Sequence, residues 1–203
     1  MTTRAPHRLV LLGIATVALL APASALAKVR CVPAQGPQCD ASYATIGAAV
    51  AAAASADEIL IGPGTHMASI STSKRLHFDG AGAHATTVES LNGPALRLRG
   101  GGTIASLAVH GGTNGDDGSP AIRIDPAAVG KLAFHVVDVV ARGGDEADPD
   151  GAPGGGLSVW GDFNERATVF VDGGSFRAGA GEGFYFAAMG FGGTHVRAAS
   201  STA

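Results

Sequence analysis

Four short apolar segments of similar shape recur along the chain from Pro94 onward, and they constrain the fold more than any other feature. Pro94-Ala95-Leu96-Arg97-Leu98, Pro120-Ala121-Ile122-Arg123-Ile124, Gly156-Leu157-Ser158-Val159 and Gly183-Phe184-Tyr185-Phe186 each open a unit of about 25 to 35 residues. Each is followed by a second strand-like region: Ile104 to Val109, Phe134 to Val140, Thr168 to Phe176, and His195 onward. The first three of these regions lead into glycine, at Gly111-Gly112, Gly143-Gly144 and Gly179. A unit of strand, turn, strand and glycine-rich loop cannot bury its own apolar face. Stacking such units at the roughly 4.8 Å strand spacing places the inward side chains of one over those of the next and builds a continuous core. The 31 glycines, against only 5% aromatic residues, fit tight turns around layers of small side chains. An antiparallel sandwich is the competing arrangement and should show two-residue hairpin signals. Asn92-Gly93 and Asn114-Gly115 are such signals, but they fall between the aligned units and do not recur in each.

Upstream, short strands also succeed one another. Glu58-Ile59-Leu60-Ile61 is closed by Gly62-Pro63-Gly64-Thr65, and Ser69-Ile70-Ser71, Leu76 to Gly82 and Thr86 to Glu89 follow. Before them, Asp40 to Ala54 reads as one short helix. Asp40, Ser42 or Thr45 can cap it, and Ile46, Ala49, Val50 and Ala53 fall on one face. A helix this short is marginal alone and must dock its apolar face on something larger.

The run from Cys31 to Glu89, with Tyr43-Ala44-Thr45-Ile46-Gly47-Ala48-Ala49-Val50, Asp57-Glu58-Ile59-Leu60-Ile61, Pro63-Gly64-Thr65 and Asp79-Gly80-Ala81-Gly82 before Thr86-Thr87-Val88, resembles the opening of right-handed parallel β-helix proteins of the pectin-lyase-like superfamily. The resemblance implies an all-β fold, a right-handed parallel β-helix solenoid with an N-terminal capping α-helix. It also implies that the helix plugs the open end of the stack and that Pro63-Gly64-Thr65 turns the first coil. His66 departs from the pattern, which has an aromatic residue there.

At the N-terminus, Arg4 and Arg8 precede an apolar run from Leu9 to Leu20, then Pro22 and the small residues Ala23 to Ala27. This is the pattern of a secretory signal peptide, residues 1–27, cleaved after Ala27. The run is shorter than the roughly 20 residues of a stable membrane helix, so no stable transmembrane anchor is expected, although an uncleaved anchor is the competing reading. Residues 28–57 then form a disulfide-tied N-terminal cap with the short helix, and residues 58–203 the β-helix coils. Ala198 to Ala203 stops midway through a coil without a C-terminal cap, as expected of a piece of a longer protein. Export places Cys31 and Cys39 where disulfides persist, and pairing them closes a short loop contributing roughly 2 to 3 kcal/mol. The chain carries 14 basic and 17 acidic side chains, with no basic stripe, so nucleic acid is not an expected partner.

Candidate chemistry is sparse. Asp116 and Asp117, and Asp145, Asp148 and Asp150, occupy inter-coil loops leaving equivalent strand ends; they are weak candidates for Ca²⁺, or else simply solvated. No other cofactor is implied. Of the polygalacturonase-like catalytic set only Asp116-Asp117 is present. Arg123, Arg142 and Arg177 are possible stand-ins for the basic residue of pectate-lyase-like enzymes, and Trp160 could stack on a sugar or pack in a turn. His77, His110, His135 and His195 lie on expected strands without nearby partners in sequence. The expectation is a secreted or cell-surface β-helix protein, non-catalytic, binding a polysaccharide or another cell-envelope component, or purely structural. The alternative is a polysaccharide lyase or glycoside hydrolase.

Overall fold

The computed structural model describes residues 26–33, 36–113, 119–126, 131–144, 154–161, 166–177, 186–190 and 195–199. The chain lays down β1 (Val29–Val32), β2 (Ala41–Ser42) and helix α1 (Ile46–Ala52), then winds through coils of three strands. The first coil is β3 (Glu58–Ile61), β4 (Gly64–Met67) and β5 (Ile70–Thr72), and the second is β6 (Leu76–Gly80), β7 (Thr86–Glu89) and β8 (Leu96–Leu98). The third is β9 (Gly102–Ala105), β10 (Ala108–His110) and β11 (Ile122–Ile124), and the fourth is β12 (Lys131–Val137), β13 (Val140–Arg142) and β14 (Leu157–Gly161). The fifth is β15 (Arg166–Asp172), β16 (Ser175–Arg177) and β17 (Phe186–Gly190), and β18 (His195–Ala199) follows.

Each coil adds one strand to each of three sheets. The first sheet runs β18-β15-β12-β9-β6-β3-β1-β2, the second β16-β13-β10-β7-β4 and the third β17-β14-β11-β8-β5. Among the described residues every neighbouring pair of strands is parallel, which excludes the antiparallel sandwich. The fold is a right-handed parallel β-helix with a capping helix. Asn92-Gly93 is not a hairpin: Gly93, at φ +66°, turns the chain between β7 and β8, which belong to different sheets.

The core consists of columns of side chains along the stack. Ile59, Phe78, Ile104, Val136 and Val171 form one, Ile70, Leu96, Ile122 and Leu157 another, and Val88, Val109, Ala141 and Phe176 a third. All are buried, each contributing up to about 1.5–3 kcal/mol for a large side chain. Column members vary in size to fit one another. Gly102 stands between Leu76 and Phe134, at φ +128°, where a Cβ would come within 1.8 Å of the Leu76 carbonyl oxygen.

Three sequence expectations need correction. The regions Ile104 to Val109, Phe134 to Val140 and Thr168 to Phe176 are each two strands in different sheets. A corner of one or two left-handed residues divides them: Ser106 at φ +56°, Asp138 at φ +50°, and Gly173-Gly174. Such a corner needs no loop, so two of the three carry no glycine or proline signal. The fourth opening begins two residues later than the sequence alignment places it, since Phe186 pairs with Leu157. Finally, the helix starts at Ile46, because Ala41–Ser42 pairs with β1 and the Asp40 carboxylate accepts the Val29 N–H at 2.7 Å.

The N-terminal end is closed by polar bonds as well as by apolar packing. Ile46, Ala49 and Val50 of α1 are buried against the first coil, and the Thr45 hydroxyl caps the helix by accepting the Ala48 N–H at 3.2 Å. At the other end of α1 the Lys74 ammonium donates to the Val50 and Ala51 carbonyls at 2.8 and 3.0 Å. Cys31 and Cys39 form the expected disulfide. Beneath them, the Arg30 Nε donates to Asp57 at 2.7 Å and its Nη1 to the Tyr43 hydroxyl at 2.7 Å. Asp57 also accepts the backbone N–H groups of Lys28 at 2.9 Å and Ala54 at 2.8 Å. Burial alone would raise the Asp57 pKa. These two N–H groups and the Arg30 guanidinium outweigh it and hold the carboxyl below its usual range. Among the described residues no helix is long and apolar enough to cross a membrane.

Candidate functional site: a cleft on the flank of the second sheet

In the second sheet Val88, Val109, Ala141 and Phe176 point inward, so the next residue along each strand points out. Those residues are Glu89, His110, Arg142 and Arg177, in register on successive coils about 4.8 Å apart. They form one row along the stack. Arg142 and Arg177 are exposed, and Glu89 and His110 half-buried.

Just beyond this row the chain must bend towards the third sheet, and glycine lets it do so closely. Backbone pairing continues past the strand ends, from the Ser90 N–H to the His110 oxygen at 3.1 Å, from Gly111 to Arg142 at 2.8 Å and from Gly143 to Arg177 at 3.0 Å. A Cβ on Gly112 would lie 2.4 Å from the Asn92 nitrogen, and one on Gly144 only 1.7 Å from the Gly112 oxygen. The result is a cleft of about 200 Å³ lined by Glu89, Ser90 and Leu91, by His110 to Thr113, and by Arg142 to Gly144. Its polar edge is Glu89, His110 and Arg142, its floor is glycine backbone, and Leu91, 71% exposed, offers an apolar wall.

No family model, curated protein or solved structure matches this chain. The chemistry of the cleft follows from its own groups. The Arg142 guanidinium presents planar donors suited to a carboxylate or hydroxyl, Glu89 accepts hydroxyl protons, and His110 can do either according to its tautomer.

The structure separates the three arginines singled out in the sequence. Arg142 and Arg177 are neighbours in the row, whereas Arg123 lies on the third sheet with its side chain 10% exposed. There its Nε donates to Asp125 at 2.8 Å, and Arg97 from the preceding coil binds the same carboxylate. The histidines are dispersed too. His77 Nδ1 lies 3.1 Å from the Thr103 hydroxyl, and His135 stacks on Phe170 of the next coil with ring centroids 4.7 Å apart. In that stack each ring covers a face of the other and leaves edges to solvent. His195 lies on β18 and Trp160 on β14, but their side chains are outside the described residues. Asp116, Asp117, Asp145, Asp148 and Asp150 also lie outside them. The segments bearing them leave from β10 and β13, which are paired, so their points of departure are adjacent. Among the described residues no group of three or more His, Cys, Asp or Glu is placed to hold a metal ion.

Sequence reasoning missed Glu89 and Leu91. The signal that finds the row is the residue before each glycine-rich exit: His110 before Gly111-Gly112 and Arg142 before Gly143-Gly144. Once those two are aligned, the preceding coil places Glu89 in the same column.

Proposed function

We propose that this is an exported, non-catalytic β-helix protein that binds glycans of a cell envelope or extracellular matrix through the cleft on its flank. The carrying observation is the cleft itself, where Glu89, His110 and Arg142 converge over a glycine floor beside Leu91. A sugar ring has hydroxyls around its rim and apolar C–H groups on its faces, and this combination of groups matches both. At about 200 Å³ the cleft is smaller than the roughly 300–1,000 Å³ of drug-sized sites, which suits a single sugar unit entering from an extended chain. The signal-peptide pattern of residues 1–27 and the Cys31–Cys39 bridge support export. Membership of the pectin-lyase-like superfamily is part of the same reading, supported by the capping helix and the parallel coils that follow it.

A panel of defined oligosaccharides examined by saturation-transfer NMR tests the reading. Sugar protons should be saturated by the protein, Glu89→Gln and His110→Ala should weaken the effect, and no product should accumulate on prolonged incubation. Absence of any sugar contact, or contact indifferent to both substitutions, defeats it. Release of reducing ends or unsaturated products would instead favour a lyase or hydrolase.

A further inference from the structure

Ahead of β1 the backbone passes from exposed to anchored at a single atom, the Lys28 nitrogen. Leu26 is 88% exposed and Ala27 is exposed. The Lys28 N–H donates to Asp57 Oδ1 at 2.9 Å, the Lys28 carbonyl accepts the Glu58 N–H at 2.9 Å, and the Val29 N–H donates to the Asp40 carboxylate at 2.7 Å. The acceptor of the first of these bonds is a buried carboxylate, 2% exposed, whose two oxygens are used differently. Oδ2 accepts the Arg30 Nε at 2.7 Å and the Ala54 N–H at 2.8 Å, while Oδ1 faces the Lys28 nitrogen. In the uncut chain that nitrogen is a neutral amide with one proton to donate. The sequence pattern, which is independent of these contacts, ends the export signal at Ala25-Leu26-Ala27. The bond it marks for cleavage is therefore the one made by this same nitrogen.

We infer that Asp57 is a binding site for the protein's own processed N-terminus, the α-ammonium group created at Lys28 when the export signal is removed, and that cleavage thereby completes the cap. This rests on the export reading. Cleavage adds one water across the Ala27–Lys28 bond, so that Ala27 leaves as a carboxylate and the Lys28 nitrogen becomes an ammonium with three protons. A neutral donor is exchanged for a charged one without moving the nitrogen, and charge-assisted hydrogen bonds are roughly twice as strong as neutral ones. Asp57 then lies between two cations, with the ammonium on Oδ1 and the Arg30 guanidinium on Oδ2, the guanidinium itself donating to the Tyr43 hydroxyl at 2.7 Å. Lys28 is exposed, so the other two ammonium protons reach solvent and the change buries no unpaired donor. The uncut chain lacks this ion pair and closes less firmly at the end where the stack has no neighbouring coil.

Mass spectrometry of the exported protein comes first and should find Lys28 as its first residue. Another first residue overturns the inference and leaves export in place, whereas a chain that keeps its first residues and stays inside the cell removes both. Thermal melting then compares the exported protein with a chain that keeps Ala25-Leu26-Ala27 ahead of Lys28, released from a removable tag, whose own ammonium lies about 10 Å further out, about one Debye length. The processed protein should melt higher by roughly 2–4 °C near neutral pH. An α-amino group titrates at about 7.7–8.0, and the adjacent carboxylate favours its charged form, so its folded value lies above its unfolded one. With Asp57 ionised, the advantage is complete below the unfolded value and is lost as pH rises through the folded value; it should be gone by about pH 10. The other titratable groups on the elements around it, Arg30, Asp40, Tyr43, Glu58, Arg75 and His77, are common to both chains and cancel in the difference. In Asp57→Asn the two chains should melt together. Equal melting of the two wild-type chains at every pH overturns the inference, as does a difference that persists at about pH 10 or in Asp57→Asn. The pH profile decides the question without any substitution in the cap.

Discussion

The N-terminal end of the stack and the flank carrying the cleft are built from the same strands but held together differently. At the end, side chains make the bonds: a disulfide, the Arg30–Asp57–Tyr43 cluster, and the Lys74 ammonium on the last turn of α1. On the flank, the close approach of coils is made by backbone, with Gly111, Gly143 and Gly144 donating to carbonyls of neighbouring coils. The difference follows from geometry. A terminal coil has no neighbour on one side, so its edge and core must be closed by other groups. A coil in the middle has its backbone satisfied above and below, so its outward side chains, such as Glu89 and His110, are not needed to close the stack.

That contrast predicts a graded response to substitution. Asp57→Ala should be the most damaging, costing roughly 3–5 kcal/mol in chemical denaturation, because it takes the carboxylate from the part-buried Arg30 guanidinium and the acceptor from the Lys28 and Ala54 N–H groups at once. The loss should depend on pH with a definite sign. The Asp57 pKa is lowered on folding, so its contribution is complete above the unfolded value of 3.8 and fades as pH falls through the lower folded value. The gap between wild type and Asp57→Ala should therefore narrow in strongly acidic solution; a gap that widened there would refute the assignment. Replacing Cys31 and Cys39 together by serine should cost roughly 2–3 kcal/mol. Gly144→Ala should follow at roughly 1–3 kcal/mol, as its Cβ forces the coils apart. Should it prove worse than Asp57→Ala, the flank and not the end would be the more tightly constrained region. Arg177→Ala should move the melting free energy by no more than about 0.5 kcal/mol, which separates recognition from stability.

The sequence revealed the parts of the fold that rest on recurrence. Three of the four aligned openings stack residue for residue, Leu96 on Ile122 and Ile122 on Leu157, because apolar alternation carries the register of each rung. The corners at Ser106 and Asp138 were hidden because a single left-handed residue leaves no mark in composition. The cap was legible as a helix and a disulfide, yet Arg30 and Asp57 are 27 positions apart and only the fold brings them together. The candidate site was the least legible. Arg142, Arg177 and His110 could be named singly, but their alignment with Glu89 arises from loops of unequal length between coils, and no local pattern encodes it.

The central claim is that successive strands lie parallel and in register, so that Ile70, Leu96, Ile122 and Leu157 form one column. Methyl-labelled NMR measures this directly. Cross-peaks should link Ile70 to Leu96, Leu96 to Ile122 and Ile122 to Leu157, each one rung of about 4.8 Å apart, with none between Ile70 and Ile122 two rungs or about 9.6 Å apart. A Leu96 methyl without contact to Ile122, or one facing both Ile70 and Leu157, would contradict the stack.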